Sequence, residues 1–161
     1  MEKILIILLF VLACSGRYDN PLDPVNLEKL PESYVSFSTN NDVSTAAKVI
    51  DCNTVISAEL GIDYDYWPSY SQYTNNVDWY KFYSVVGNEY KIILSCKEYK
   101  TLYINLYDSS LNLISALYTT KEYIYFKFNS TTSSNYLEIK YIPSQSVNYE
   151  SMDYRFAILT S

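Results

Sequence analysis

Apolar and polar residues alternate along most of this chain. In one run, Trp79, Lys81 and Tyr83 fall on one side of an extended backbone, and Tyr80 and Phe82 fall on the other. A period of two residues is the pattern of a β-strand that buries one face. Runs of this kind predict nine strands: Tyr34–Ser38, Thr54–Leu60, Val77–Val86, Tyr90–Cys96, Leu102–Tyr107, Leu111–Tyr118, Tyr123–Phe128, Tyr136–Ile142 and Tyr154–Leu159.

Short strands at regular spacing, each with one apolar side, are typical of two antiparallel sheets packed face to face. We therefore expect an all-β fold, an antiparallel, jelly-roll-like β-sandwich of roughly eight to nine strands. One segment, Val43–Ile50, fits a short helix better than a strand. The composition agrees with a β fold, because 19 of the 161 residues are Tyr, and aromatic side chains suit a pleated, half-buried surface.

The N-terminus has the layout of a signal peptide, with a short charged start, an apolar run and a small residue before a cysteine. Lys3 precedes an apolar run, and Ala13 precedes Cys14, which resembles the lipobox of bacterial lipoproteins, where a cysteine thiol receives a diacylglyceryl group and the new amine receives a further acyl chain such as palmitate. The alternatives are a membrane-spanning helix, which needs about 20 apolar residues, and an ordinary cleaved signal. We expect residues 1–13 to be removed and Cys14 to be lipidated.

Three segments follow from this interpretation. Residues 1–13 form the signal peptide, and residues 14–36 form a lipidated tether in which Pro21, Pro24 and Pro31 favour extended backbone. Residues 37–161 form one β-sandwich domain. The predicted location is the bacterial cell envelope, with the domain exported and held at the membrane by its lipid on the periplasmic or surface face of the outer membrane.

Composition excludes several function classes. The chain contains no His, the commonest general base and zinc ligand, and only three Gly, too few for a phosphate-binding glycine loop. Its formal net charge of −6, with no basic stripe, argues against nucleic-acid binding. No pair of carboxylates is positioned for glycoside hydrolysis, and no Ser-x-x-Lys signature occurs. We expect a protein that is not an enzyme.

The segment from Gly61 to Asn76 breaks the strand rhythm and is rich in aromatic residues. Long loops in compact domains are often functional, and aromatic rings stack on sugar rings. Candidate ligand-binding residues are therefore Tyr64, Tyr66, Trp67 and Tyr70. The structural alternative is that these side chains cover an open end of the sandwich, a position that amphipathic Tyr tolerates.

Four short motifs occur in order along the chain. They are Asp-Trp-Tyr-Lys-Phe at residues 78–82, the Gly-led turn at residues 87–88, Leu-Tyr-Asp at residues 106–108 and Asn-Tyr-Leu at residues 135–137. With these motifs, about residues 40–160 resemble the bacterial pre-peptidase C-terminal domain. The resemblance implies a non-catalytic β-sandwich that serves as an adaptor for substrate, matrix or polysaccharide, and in some members binds calcium.

A calcium site is one hypothesis for the acidic residues. Oxygen ligands suit a hard cation, and Asn40 and Asn41 neighbour the candidate set, which comprises Asp42, Asp63, Asp65 and Asp78. The alternative is that these residues form turns and solvated loops.

Two cysteines remain once Cys14 carries lipid. Cys52 and Cys96 could form a disulfide, since an exported domain occupies an oxidising compartment, or they could be two buried free thiols.

These observations predict a lipid-anchored, exported, non-catalytic binding or interaction module. A carbohydrate- or matrix-binding adhesin is an alternative function, and so is a structural envelope component or partner of a separate secreted protease. The expected partners are the membrane, through the lipid, and a protein or polysaccharide ligand; calcium is the one cofactor considered.

Overall fold

A computed structural model describes residues 30–35, 43–60, 77–96, 102–119, 123–141 and 152–160. These residues form ten strands and one turn of 3-10 helix at Ser44–Ala46. The strands are β1 (Glu32–Val35), β2 (Lys48–Ile50), β3 (Val55–Leu60), β4 (Val77–Tyr83), β5 (Glu89–Cys96), β6 (Leu102–Tyr107), β7 (Leu113–Thr119), β8 (Tyr123–Asn129), β9 (Ser134–Tyr141) and β10 (Met152–Thr160).

The strands form two five-stranded sheets that pack as a sandwich. Sheet I has the order β1-β3-β10-β5-β8, and sheet II has the order β2-β4-β9-β6-β7. Every pairing is antiparallel except at one edge of each sheet, where β1 pairs with β3 and β2 pairs with β4 in parallel. The predicted all-β sandwich is therefore confirmed, with one strand more than the eight or nine expected.

The additional strand corrects the helix prediction for Val43–Ile50. Only Ser44–Ala46 is helical, as a 3-10 turn, and Lys48–Ile50 form β2 beside β4. The branched side chains of Val49 and Ile50 suit a strand. Ile50 is buried opposite Phe82, so tertiary pairing at the sheet edge determines the conformation of this segment.

The folded domain also begins earlier than residue 37. Glu32–Val35 form β1 and pair with Val55–Ala58, and the carbonyl of Pro31 accepts a hydrogen bond from Val55 N (2.8 Å). Leu30 packs against a small cluster of buried apolar side chains on sheet I. Residues 30–35 therefore belong to the sandwich, and the predicted tether boundary at residue 36 is wrong.

The core lies between the two sheets and is built from alternating inward side chains. β4 and β6 bury every second residue, which is the signature of a strand with one core-facing side. Aromatic rings fill the centre: the Phe82 ring lies 6.1 Å from that of Phe128, and the Tyr90 ring stacks on Phe128 at 5.6 Å between centroids. The contact between Phe82 and Phe128 joins sheet II to sheet I.

The two ends of the sandwich differ in their connections. At one end, which we call the turn end, short described turns at 84–88, 108–112 and 130–133 join the strands. We call the opposite end the loop end. The strands begin or end there next to five segments, 36–42, 61–76, 97–101, 120–122 and 142–151. The candidate residues of segment 61–76 therefore belong to a connection that starts and finishes at the loop end.

A hydrogen-bonded polar cluster closes the turn end. The amide nitrogen of Asn135, a fully buried residue, donates to Ser84 Oγ (2.6 Å) and to Ser130 Oγ (3.0 Å). The two serine hydroxyls lie 2.8 Å apart, and each donates to the carbonyl of Thr132 at 2.8 Å. Gly87 adopts a φ of 89° in the adjoining turn, a conformation that glycine reaches without steric cost, and its N–H donates to Ser130 O.

Within the described ranges, no helix is long and apolar enough to cross a membrane.

Candidate functional site: the aromatic face of sheet II

The outward side of sheet II is rich in aromatic residues. Its four neighbouring strands β4, β9, β6 and β7 each bury one side against the core and present the other outward. Outward positions on a sandwich usually carry polar residues. Here they carry six aromatic side chains, of which Tyr83 lies at the end of β4. The other five, with the polar and charged residues among them, form the set that we call the aromatic face: Trp79, Lys81, Tyr103, Asn105, Tyr107, Tyr118, Tyr136, Glu138 and Lys140.

Strand register places these residues in rows across the sheet. The row nearest the loop end runs from Lys140 to Tyr103 and then Tyr118. The central row runs from Trp79 through Glu138 to Asn105. The third runs from Lys81 through Tyr136 to Tyr107. Because neighbouring strands lie about 4.8 Å apart, the rings and polar groups form one continuous surface.

Glu138 is the polar centre of this face. Its Oε2 atom accepts a hydrogen bond from Asn105 Nδ2 (2.5 Å) and another from the Tyr107 hydroxyl (2.9 Å). The Tyr107 ring stacks on the indole of Trp79, with 5.2 Å between centroids and 26° between planes. A carboxylate that holds two neighbours in this way fixes the orientation of Tyr107, and Tyr107 in turn supports Trp79.

The Tyr107 hydroxyl remains protonated over the physiological range. Burial raises the pKa of Tyr107 to about 12, with the hydrogen bond and the negative charge of Glu138 adding to the effect, while a hydrogen bond to Asn105 opposes it. The phenol is therefore a permanent hydrogen-bond donor to Glu138, and Glu138 is held as an acceptor.

The remaining aromatic side chains surround this centre. The Lys81 ammonium lies 5.6 Å from the centroid of the Tyr83 ring and 5.4 Å from that of Tyr136, within cation–π range. Tyr103 and Tyr118 contact each other with 6.2 Å between centroids, and Tyr118 is 72% exposed. The face thus combines fixed rings at its centre with open rings at its margins.

The structure places Asp78 away from this face, inside the sandwich. Asp78 is buried, and its carboxylate accepts a hydrogen bond from the Tyr154 hydroxyl. That hydroxyl lies 2.5 Å from the hydroxyl of Tyr80. Since the single proton of Tyr154 is donated to Asp78, Tyr80 donates to Tyr154. This chain links β4 of sheet II to β10 of sheet I, so Asp78 has a structural role in the core.

The rest of the predicted calcium set, Asp42, Asp63 and Asp65, lies outside the described residues, and the calcium site stays a prediction. Among the residues that are described, no three His, Cys, Asp or Glu side chains group together as metal ligands.

The structure contradicts a disulfide between Cys52 and Cys96, because it does not bond these two residues to each other and places them at opposite ends of the sandwich. The Cys52 thiol donates to the carbonyl of Tyr83 (3.6 Å) at the turn end. The backbone N–H of the neighbouring Asn53 donates a hydrogen bond to the carbonyl of Ile158, and Ile158 lies opposite Ile92 on β5. Cys52 therefore lies near the level of Ile92. Cys96 is four residues further along β5 toward the loop end, a rise of about 13 Å. Disulfides require Cα atoms less than about 7 Å apart.

The predicted ligand-binding residues Tyr64, Tyr66, Trp67 and Tyr70 lie outside the described residues, so their role also stays a prediction. The aromatic face was missed at the sequence level. The available signal was the character of the outward positions: Trp79 and Lys81 share one side of their strand, and Tyr103 and Tyr107 occupy the non-core side of theirs.

The comparisons with known proteins identify the fold. No protein-family model and no curated protein sequence matches the chain. The pre-peptidase C-terminal domain of a collagenase from Bacillus anthracis is similar in structure, with a TM-score of 0.53 and 18% sequence identity over 70% of this chain and 93% of that domain. The chain therefore has a fold like that of pre-peptidase C-terminal domains, as the sequence motifs indicated.

Two further solved structures overlap less well. CorA, a surface-associated copper-binding protein of Methylomicrobium album BG8, matches with a TM-score of 0.40 and 8% identity over 81% of this chain and 99% of its own. A carbohydrate-binding module, CBM36, in complex with calcium and xylotriose, matches with a TM-score of 0.31 and 8% identity over 51% of this chain and 71% of its own. Similarities of this size carry no functional inference.

Proposed function

We propose that the protein is a non-catalytic binding module of the bacterial envelope, anchored by lipid at Cys14 and contacting its ligand through the aromatic face of sheet II. The observation that carries the proposal is the cluster of Trp79, Tyr107 and Glu138, in which a carboxylate and a stacked ring hold an indole in place on an outward surface. Rigid, partly exposed aromatic side chains bind ligands at low entropic cost.

The chemistry of the face favours binding over catalysis. Glu138 is the one carboxylate among the residues of the aromatic face, and its Oε2 atom is engaged by Asn105 and Tyr107. Glycoside hydrolysis requires a second carboxylate at a defined separation. The hydroxyl of Tyr107 is committed to Glu138, and the ammonium groups of Lys81 and Lys140 instead supply hydrogen-bond donors around flat rings.

Polysaccharide is the ligand class that this arrangement favours. The C–H groups of a sugar ring are attracted to the electron-rich face of an aromatic ring, and sugar hydroxyls bond to carboxylate, amide and ammonium groups. The face provides both kinds of contact, through Trp79 and Tyr118 for stacking and through Glu138, Asn105 and Lys140 for hydrogen bonding. A carbohydrate-directed adhesin follows from this choice.

Trp79→Ala tests the ligand surface. We expect the substitution to weaken retention on the polysaccharides that bind the unmodified protein, identified by glycan array and measured by affinity electrophoresis, by at least about tenfold, because one central stacking ring is worth roughly 1.5–3 kcal/mol. Tyr34→Ala is the matched control, since Tyr34 is 67% exposed on β1 of sheet I.

Trp67→Ala distinguishes the face from segment 61–76. If Trp67→Ala weakened retention on the polysaccharide and Trp79→Ala did not, the binding site would be assigned to that segment. Retention of a protease or another envelope protein, without any glycan, would favour the structural or protease-partner function instead.

Cys14→Ser tests the anchor. We expect unmodified protein to sediment with the membrane fraction and to incorporate alkyne-labelled palmitate, and the variant to lose the label, because the serine hydroxyl does not replace the thiol in lipid transfer. More than one acyl chain is needed for stable attachment. Label that persists in Cys14→Ser would contradict lipidation at this residue.

A further inference from the structure

The outward side of sheet I is acidic over the part of the chain that the structure describes. The ion pairs found among the described residues both lie there, since Lys127 is 3.0 Å from Glu89 and Arg155 is 3.3 Å from Glu32. In full, the charged residues at outward positions of sheet I are Glu32, Glu59, Glu89, Lys91, Lys127, Asp153 and Arg155.

The aromatic face of sheet II has the opposite charge balance. It carries two ammonium groups, those of Lys81 and Lys140, and one carboxylate, that of Glu138. The Oε2 atom of Glu138 already accepts two hydrogen bonds, and neither lysine forms an ion pair with a residue that the structure describes. On a chain with a net charge of −6, this surface is a positive exception, and charge complementarity favours an anionic ligand.

The ammonium group of Lys81 is positioned by aromatic rings. It lies 5.6 Å from the centroid of the Tyr83 ring and 5.4 Å from that of Tyr136. A cation–π contact holds the ammonium in place without cancelling its charge, because the rings carry no net charge of their own. Lys81 therefore presents a full positive charge, in a defined position, to a ligand on the face.

Strand register sets the distance between the two lysines. Lys81 lies four residues further along β4 than Val77, the residue opposite Lys140 on β9. With a rise of about 3.3 Å per residue and about 4.8 Å between strands, the two Cα atoms are about 14 Å apart. The cross-strand pair of Trp79 and Glu138 lies midway between them. The face thus offers positive charge at two separate points, with a flat ring and a negative charge between them.

We propose that the ligand of the aromatic face is an acidic polysaccharide in which uronic acids alternate with neutral sugars. Lys81 and Lys140 bind the carboxylates of two uronic acids, and the neutral sugar between these stacks on Trp79. A neutral sugar suits the centre because Glu138 repels an anionic group there and accepts hydrogen bonds from sugar hydroxyls. This assignment rests on the proposed function and names the substrate class of the same site.

The negative charge of the whole chain does not prevent this contact. At physiological ionic strength the Debye length is about 8 Å, and packed sheets are about 10 Å apart. The carboxylates on the outward side of sheet I are therefore screened from a polymer that lies on sheet II. A densely sulfated polymer would place anionic groups beside Glu138 as well, so the face favours a single charge in each repeat.

Reduction of the ligand carboxylates tests the ligand class. The probes are hyaluronan and unsulfated chondroitin, which alternate a uronic acid with a neutral N-acetylated sugar, together with their carboxyl-reduced forms. These forms keep the rings and linkages and lose the charge. In affinity electrophoresis of detergent-solubilised full-length protein, we expect retention on at least one probe, and retention at least about tenfold weaker on its reduced form, because two ion contacts are lost.

Lys81→Gln and Lys140→Gln test the two binding residues. Each should weaken retention on the acidic probe about fivefold. The double variant should weaken it about 25-fold, since sites this far apart contribute independently. Lys91→Gln is the matched control, because it makes the same change of charge at an outward position of sheet I, opposite Lys127, and it should have no effect. Lys140→Gln decides the question alone if Lys81→Gln fails to fold.

Equal retention on a probe and its reduced form, or retention on neutral polysaccharides alone, would overturn the acidic ligand and leave the proposed function and the result for Trp79→Ala standing. Tighter retention on heparin, which is densely sulfated, than on either probe would contradict the alternating pattern. Retention on polyglutamate and on no polysaccharide would assign the lysines to an acidic protein segment and overturn the proposal. Failure to bind any polysaccharide would contradict the proposed polysaccharide function itself.

Discussion

Replacing Tyr154 with Phe is expected to lower the free energy of unfolding by about 2–3 kcal/mol, since hydrogen bonds to charged groups contribute about that much and the buried acceptor loses a partner. Tyr154 is 1% exposed, and its hydroxyl is the donor to Asp78 and the acceptor from Tyr80. Its ring stacks on Phe156 and is retained in the variant, so the measured loss reports the hydroxyl alone.

Urea unfolding followed by circular dichroism measures this loss, and two other Tyr→Phe variants calibrate it. Tyr80→Phe removes the hydroxyl that donates to Tyr154, and with it a neutral hydrogen bond that contributes about 1 kcal/mol. Tyr83→Phe should be neutral, because Tyr83 is 63% exposed. In a double-mutant cycle, Tyr80 and Tyr154 should be coupled and not additive. Equal values for Tyr154→Phe and Tyr83→Phe would contradict a sheet-bridging role.

The same hydroxyl makes stability fall in alkali. Burial, followed by the neighbouring Tyr80 and the charge of Asp78, raises the pKa of Tyr154 well above its ordinary value of 10. The unfolded chain therefore releases this proton first, and the contribution is complete below pH 10 and is lost progressively as pH rises above it. Tyr154→Phe lacks this proton, so its unfolding free energy should decline less steeply in that range.

Replacing Asn135 with Leu is expected to lower the free energy of unfolding by about 2–3 kcal/mol, since it removes two buried hydrogen bonds and leaves their acceptors with an apolar neighbour. Asn135 is fully buried, and its amide joins Ser84, after β4, to Ser130, after β8. The strands β4 and β8 belong to different sheets. Loss of the amide should therefore weaken closure of the sandwich at its turn end.

Asn129→Leu is the matched control, because Asn129 is exposed at the end of β8 and exposed substitutions change stability by about 0.5 kcal/mol or less. The quantity compared between the two variants is again the midpoint of urea unfolding, with the dependence of the unfolding free energy on urea concentration unchanged. A midpoint for Asn135→Leu that equals that of Asn129→Leu would show that the serine hydroxyls and Thr132 satisfy one another without the amide.

The sequence predicted the strands well because alternation is a local signal. All nine predicted strands are present, and Leu102–Tyr107 has the predicted bounds. The sequence did not predict β2, because three residues are too few to show an alternating pattern. Its conformation is determined by pairing with β4, a strand distant in sequence.

The candidate site was less predictable, for the same physical reason. Alternation showed that Trp79 points away from the core, but the neighbours of its strand depend on the order β4-β9-β6-β7, which no local pattern encodes. Tyr107 therefore could not be connected with Trp79 or Glu138 from the sequence. Cys52 and Cys96 show the same limit. An oxidising compartment made a disulfide between them plausible, but the two residues lie at opposite ends of the sandwich.

The parallel pairing of β1 has a mechanical consequence. Glu32, the first residue of β1, lies at the turn end, opposite Val55. A pull through the proposed lipid tether would act along β1 and load its hydrogen bonds to β3 together in shear, instead of opening them one after another. Arg155, 3.3 Å from Glu32, and Ser57, which donates to the same carboxylate, would share that load. Under the proposed anchoring at Cys14, β1 is therefore the strand that would bear traction from the membrane first.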